Sequence, residues 1–305
     1  MHPSVLRKYV WQNHGMIIGI VGPTGSGKSA VGVALAKRLN AVIISVDAYQ
    51  IYQGMDIGTG KITDAEKAGI PHYFIDHIPA HMPYDVAQYQ REVRAKIDAL
   101  LLQDTPILMV GGSGYYLKAV LHDMTFPSGD KTEVPAPEVI WDILKEKAPE
   151  LLEGVHPNNH KRLVNRYRRF QSGTDASAVD HAWYPYTLYG LERPMETLKK
   201  RTDARIDAMV DAGLLDEVTQ LRQRGISATA KEAIGYKEWN GYFAGVLTAD
   251  EVIQAIKTHT HQYIKKQRTY FTHQLPVHWI AAEGLDTDAI AEKIMADLKN
   301  KASVN

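Results

Sequence analysis

The residues with the most evident chemistry are Gly22-Pro23-Thr24-Gly25-Ser26-Gly27-Lys28-Ser29, which spell G-x-x-x-x-G-K-S directly behind the apolar run 16–21. Glycines at 22, 25 and 27 let successive backbone N–H groups turn inward around an anion. Lys28 and Ser29 then open a helix whose N-terminus is partially positive. Such a loop holds a diphosphate or triphosphate. Lys28 is placed to span two phosphate groups, and the Ser29 hydroxyl to ligate a Mg²⁺ bridging their oxygens. Which phosphate compound it holds is left open by the loop alone.

Asp47 ends the apolar run 41–46, read as a buried parallel strand. Ligands of an open α/β sheet sit outside the carboxyl ends of its strands, so Asp47 falls on the rim that carries the phosphate loop. It can serve there as a general base, as an outer-sphere partner of Mg²⁺ or as a turn cap; the run Ala48-Tyr49-Gln50-Ile51-Tyr52 behind it favours function. Farther along, Arg201 and Arg205 share one face of a helix. Two guanidiniums can clamp a diphosphate there, or pair with Asp203, Asp207 or Glu196. Lys61 is a further candidate for a phosphate contact. His72, His77 and His81 stand close together, but their spacing fits no metal site.

These residues need a scaffold, and the apolar patterning supplies one. Strands are expected over 16–21, 41–46, 106–110, 186–191 and 277–280, alternating with helices over 29–39, 84–103, 250–273 and 287–299. Pro194 opens a helix expected to run to about Arg224, and residues 54–83 read as a long loop over the site. The third strand ends in Gly111-Gly112-Ser113-Gly114, where a nucleotide-hydrolysing protein commonly has an aspartate. ATPase and GTPase readings weaken accordingly. Those glycines offer open N–H groups and the Ser113 hydroxyl to a ligand, or make a tight turn. The pattern predicts an α/β fold, a P-loop NTPase-like parallel sheet flanked by helices with an inserted helical lobe. The core spans 16–123 and 184–299, the lobe 124–183, and an N-terminal extension 1–15.

The lobe carries Lys161-Arg162-Leu163-Val164-Asn165-Arg166-Tyr167-Arg168-Arg169, with five basic residues and no acid, and a second basic and aromatic cluster spans 263–271. Such faces suit phosphate backbones and unpaired bases, or are simply solvated. Charge balances overall, with 35 Lys and Arg against 35 Asp and Glu, so any polyanion surface must be local. With no cysteine, no signal peptide and no window approaching a membrane span, the expectation is a cytoplasmic protein.

In order along the chain, GPTGSGKS at 22–29, IISVD at 43–47 with QIY at 50–52, MDIGTGK at 55–61, PH at 71–72, GGSGYYLKA at 111–119, HPNN at 156–159, IGYKE at 234–238 and KKQRTYF at 265–271 resemble the tRNA dimethylallyltransferase (tRNA isopentenyltransferase) family. The resemblance implies transfer of a dimethylallyl group from dimethylallyl diphosphate to N6 of an adenine beside the anticodon, commonly adenosine 37. It implies that loop 22–29 holds the donor's diphosphate with Mg²⁺ on Ser29. Lys28, Arg201 and Arg205 would stabilise the departing charge, and Asp47 would take the N6 proton. Contacts to the tRNA anticodon stem-loop would fall to Asp47, Ala48, Tyr49, Gln50, Ser113, Lys161, Arg162, Asn165, Arg166, Lys265, Lys266 and Arg268, with the protein acting as a monomer. The sequence departs from the family's usual residues at Ala48, Tyr49, Ser113, Asn165 and His261.

Overall fold

The computed structural model describes residues 16–126, 134–171 and 181–304. The N-terminal extension and the connection at Pro127 lie outside them, as does the side chain of Lys161. The chain divides into two compact units, His122–Trp183 and the remainder.

In the larger unit, β1 (Ile17–Val21) feeds the phosphate loop and α1 (Lys28–Leu39), and β2 (Val42–Val46) follows. The segment read as a loop contains β3 (Tyr52–Gln53), α2 (Asp64–Lys67), β4 (His72–Tyr73) and β5 (Ile78–Pro79). Two-residue strands have no periodicity to read, yet β4 joins the main sheet, with His72 and Tyr73 registered on Ile43 and Ile44 of β2. Next come α3 (Val86–Leu101), capped by Asp85, then β6 (Ile107–Gly111) and α4 (Gly114–Leu121).

After the smaller unit, with its α5 (Pro137–Lys147) and α6 (His160–Gln171), the larger unit resumes at β7 (Tyr186–Glu192). The expected helix to Arg224 is two helices, α7 (Met195–Asp211) and α8 (Leu214–Arg224). Gly213 between them sits at φ 95, a left-handed conformation that a helix cannot carry through. The chain ends with α9 (Trp239–Phe243), α10 (Ala249–Gln274), β8 (Val277–Ala281) and α11 (Thr287–Val304).

The six-stranded sheet has the order β4-β2-β6-β1-β7-β8, and every neighbouring pair is parallel. Alternation along the strands divides the core into two layers. Ile17 and Val21 of β1, with Val42, Ile44 and Val46 of β2, face Tyr89, Val93 and Ile97 of α3, Leu117 of α4 and Phe271 of α10. Ile18 and Ile20 face the opposite way, onto Val31 and Leu35 of α1 and Ile290 and Ile294 of α11. Both faces of the sheet are therefore covered, and the strand ends are left to bind.

The smaller unit has its own core of Ile140, Leu144, Leu151, Val155 and Leu163. Val164, Tyr167 and Phe170 of α6 pack against it, so Tyr167 is a packing residue here and not a free stacking platform. Arg162 and Asn165 are exposed, and Arg162 donates to the Gly154 carbonyl at 3.0 Å.

Candidate active site

The phosphate loop closes a cleft of about 1180 Å³ in the larger unit. Three loop glycines have positive φ: Gly22 at 136, Gly25 at 82 and Gly27 at 99. Gly25 is also tightly packed, since a Cβ there would stand 2.9 Å from Thr202 of α7. The loop thus presses against the helix that carries Arg201 and Arg205. Lys28 donates to the Pro23 carbonyl at 2.8 Å, and the exposed Ser29 also lines the cleft.

Asp47 lines the same cleft, as its position at the end of β2 predicts. Its Oδ1 accepts the backbone N–H groups of Tyr49 at 2.9 Å and Gln50 at 3.2 Å. The turn cap and the possible base are therefore the same carboxylate, divided between its two oxygens. Burial pushes the Asp47 pKa upward; the two N–H groups and the charges of Lys28 and Arg205 oppose it. Burial pushes Lys28 down to about 8, with Asp47 pulling the other way. An acid easier to protonate thus faces a lysine easier to deprotonate.

Arg201 and Arg205 make none of the ion pairs weighed for them. Arg201 Nε donates to the Gly25 carbonyl at 2.8 Å and Arg205 Nη2 to the Gly60 carbonyl at 2.6 Å. The neighbouring acids are taken by α10, with Asp203 against His261 at 2.7 Å and Asp207 against Lys257 at 2.6 Å. Carbonyl acceptors leave both guanidiniums charged at the cleft, where Asp47 and Glu66 act on Arg205 through space without an ion-pair contact.

Other expectations need correction. Lys61 is held by the Tyr52 carbonyl and by the carboxylates of Asp56 and Asp76, so it is a structural tie and not a phosphate contact. The glycines at and beyond the end of β6 serve close packing. A Cβ on Gly111 would stand 2.0 Å from the Val46 carbonyl oxygen, and one on Gly114 would stand 2.4 Å from the Tyr270 ring. The Ser113 N–H donates to Val46 at 3.2 Å, and its hydroxyl accepts the Ala48 N–H at 3.2 Å. Arg268 pairs with Glu192 at 2.7 Å; Lys265 and Lys266 are exposed on α10. Gln50 donates to the Thr59 carbonyl at 3.3 Å.

Gln267 carries no motif of its own in the sequence, but its place on α10 is a signal. Val252, Ile256, Thr260, Ile264, Gln267 and Phe271 form the buried stripe of α10, and an amide on such a stripe needs partners. It accepts the Thr24 N–H at 2.9 Å and donates to the Gly112 carbonyl at 3.0 Å. Tyr263, one turn earlier, is a second residue missed. Burial and the Asp47 charge push its phenol up to about 12, which keeps it a hydroxyl.

The fold and cleft define a phosphate-loop protein in which the cationic side chains of Lys28, Arg201 and Arg205 converge with the half-buried carboxylate of Asp47. The family model for IPP transferase matches residues 50–274, and the chain belongs to that family. It is 36% identical over 300 residues to the tRNA dimethylallyltransferase of Oceanobacillus iheyensis, covering 92% of this chain and 96% of that one. Identity to the tRNA dimethylallyltransferase of Anoxybacillus flavithermus is 36% over 280 residues, 86% of this chain and 89% of the relative. The full-length tRNA isopentenylpyrophosphate transferase of Bacillus halodurans superposes with a TM-score of 0.73 at 31% identity, covering 95% of this chain and 98% of that one. A eukaryotic dimethylallyltransferase acting on tRNA shares the fold with a TM-score of 0.81 at 24% identity, over 94% of this chain and 80% of that one.

Proposed function

We propose that this protein transfers the dimethylallyl group of dimethylallyl diphosphate to N6 of an adenine, adenosine 37 beside the anticodon, in tRNA. The observation that carries the reading is the single cleft holding both the phosphate loop and the free oxygen of Asp47. The N–H groups of the loop and Lys28 bind the donor's diphosphate, and Arg201 and Arg205 face the charge that builds as it departs. The N6–C1 bond forms while the C1–O bond to diphosphate breaks. The N6 proton passes to Asp47, whose raised pKa suits an acceptor.

Mg²⁺ fits this donor set in one way. Ser29 presents an exposed hydroxyl to the cleft, while no group of three or more His, Cys, Asp or Glu able to hold a metal occurs among the described residues. Ser29 would hold the ion, which would supply charge neutralisation to the donor's diphosphate. An adenine stacked in a loop must first be turned out to reach the donor. Lys265 and Lys266 of the larger unit supply phosphate contacts for the anticodon stem-loop, and the exposed Arg162 of the smaller unit is a further candidate. Among the described residues no helix is long and apolar enough to cross a membrane.

A small-molecule kinase would use the same loop, but β6 ends in Gly111 and not in an aspartate. Labelled dimethylallyl diphosphate, offered with Mg²⁺ to unmodified tRNA and in parallel to AMP and ATP, tests the reading. Label at one adenine of tRNA is expected. Label only in free nucleotide overturns the acceptor, and no label at all overturns the reaction.

A further inference from the structure

We propose that Glu217 is a positioning residue, which holds the Arg205 guanidinium beside Asp47 by pinning the 55–61 loop; this rests on the transfer reading above. Glu217 lies in the first turn of α8. Its Oε2 accepts the N–H groups of Asp56 at 2.9 Å and Ile57 at 2.7 Å, and its Oε1 accepts the Gly58 N–H at 3.0 Å. The Tyr236 hydroxyl donates to Oε1 at 2.6 Å. Four donors on one carboxylate need an acceptor with no hydrogen of its own, which is a glutamate and not a glutamine. Burial and the Glu217 charge both push the Tyr236 phenol upward, so it remains a donor.

The loop transmits this anchorage across the wall of the cleft. On one side Gly58 lies so close to Tyr236 that a Cβ would stand 2.6 Å from its ring. On the other, Gly60 at φ 57 lies so close to Arg205 that a Cβ would stand 1.7 Å from Nη2, and its carbonyl accepts that nitrogen at 2.6 Å. Gln50, which follows the Asp47 turn, donates to the carbonyls of Thr59 and Gly60 at 3.3 and 3.4 Å. Thr59 Oγ1 closes the loop onto the Met55 carbonyl at 2.6 Å, and Lys61 ties its end to Asp56 and Asp76. A five-residue span therefore fixes Arg205 relative to the Asp47 turn. Neither Glu217 nor Tyr236 lines the phosphate-loop cleft; Glu217 lines an adjoining depression of about 550 Å³, which meets the cleft at Asp56, Ile57 and Ala212. Glu217 therefore acts on the reaction at a distance, and the hydrogen-bonded route from it to Arg205 is the loop.

The test is a double-mutant cycle on the full-length protein with labelled dimethylallyl diphosphate and unmodified tRNA. The variants are Glu217→Gln, Arg205→Ala and the pair, each also followed by thermal unfolding. We expect Glu217→Gln to lower kcat by about tenfold to a hundredfold with the KM for tRNA unchanged. In the Arg205→Ala background the same substitution is expected to lower kcat by less than about twofold, since the group it positions is gone, while its Tm decrease is the same in both. An equal kcat loss in both backgrounds, or none in either, overturns the inference. Should Glu217→Gln fail to fold, Tyr236→Phe removes one of the four bonds and enters the same cycle with the same expectations. Wild-type protein that leaves tRNA unlabelled overturns the transfer reading and this inference with it, and the wild-type arm alone tells the two failures apart.

Discussion

The Gln267 side chain of α10 accepts the backbone N–H of Thr24 at 2.9 Å, so the middle of the phosphate loop is held by a helix 243 residues away in sequence. The same amide donates to Gly112 beyond β6, which joins the loop to the neighbouring strand end. Gln267→Ala leaves both partners without this bond. It is expected to destabilise the protein by about 1–3 kcal/mol and to raise the KM for donor diphosphate. Urea denaturation alongside transfer kinetics checks both, and an unchanged KM would remove the amide from loop positioning.

Asp47→Asn separates the two duties of that carboxylate. Asparagine keeps an acceptor for the Tyr49 and Gln50 N–H groups but cannot take a proton. Its kcat is expected to fall by about 10²- to 10⁴-fold with Tm close to wild type, whereas Asp47→Ala loses activity and stability together. Equal Tm losses in the two variants would show that Oδ1 is not the cap.

The pH profile follows from the two shifted groups. Transfer needs Lys28 charged, so kcat/KM for the donor is expected to decline as pH rises through about 8. It also needs Asp47 ionised, so the acid limb is expected above the ordinary aspartate value, in the direction burial pushes it. Lys28→Arg should move the alkaline limb upward and leave the acid limb in place. For folding the sign is opposite: from about pH 8 to 10.5 the unfolded chain binds the Lys28 proton more tightly, so this group's contribution to stability rises with pH.

Gly111 and Gly112 are expected to respond differently to alanine. At Gly111 the new Cβ would stand 2.0 Å from the Val46 carbonyl oxygen, and backbone cannot step aside. A loss of about 3 kcal/mol or more is expected, read as a lower Tm. At Gly112 the obstacle is the end of the Gln267 side chain at 2.3 Å, which can rotate. Gly112→Ala should therefore cost less stability and raise the donor KM, as loss of the Gln267 amide does.

Exposed charge on α10 is tested by salt. Lys265→Glu with Lys266→Glu should weaken tRNA binding and reduce the slope of log K against log salt by about 1 for each phosphate no longer neutralised. An unchanged slope would assign these lysines to a solvated face.

Much of this protein was determined locally. The loop 22–29 is legible because glycine spacing, Lys28 and Ser29 act through backbone geometry within one turn, and β1, β2 and β6 because buried parallel strands are apolar throughout; β7 and β8 show as shorter apolar runs. The rim position of Asp47 follows from strand direction alone. Tertiary structure decided what depends on pairing between distant segments. The edge strand β4 exists only because β2 offers it hydrogen-bond partners. Arg201, Arg205 and Lys61 had several chemically reasonable partners, and packing chose carbonyls for the arginines and carboxylates for the lysine. Glu217 and Gln267 look ordinary on their helices, because what makes them matter is the set of backbone groups brought to them from more than a hundred residues away.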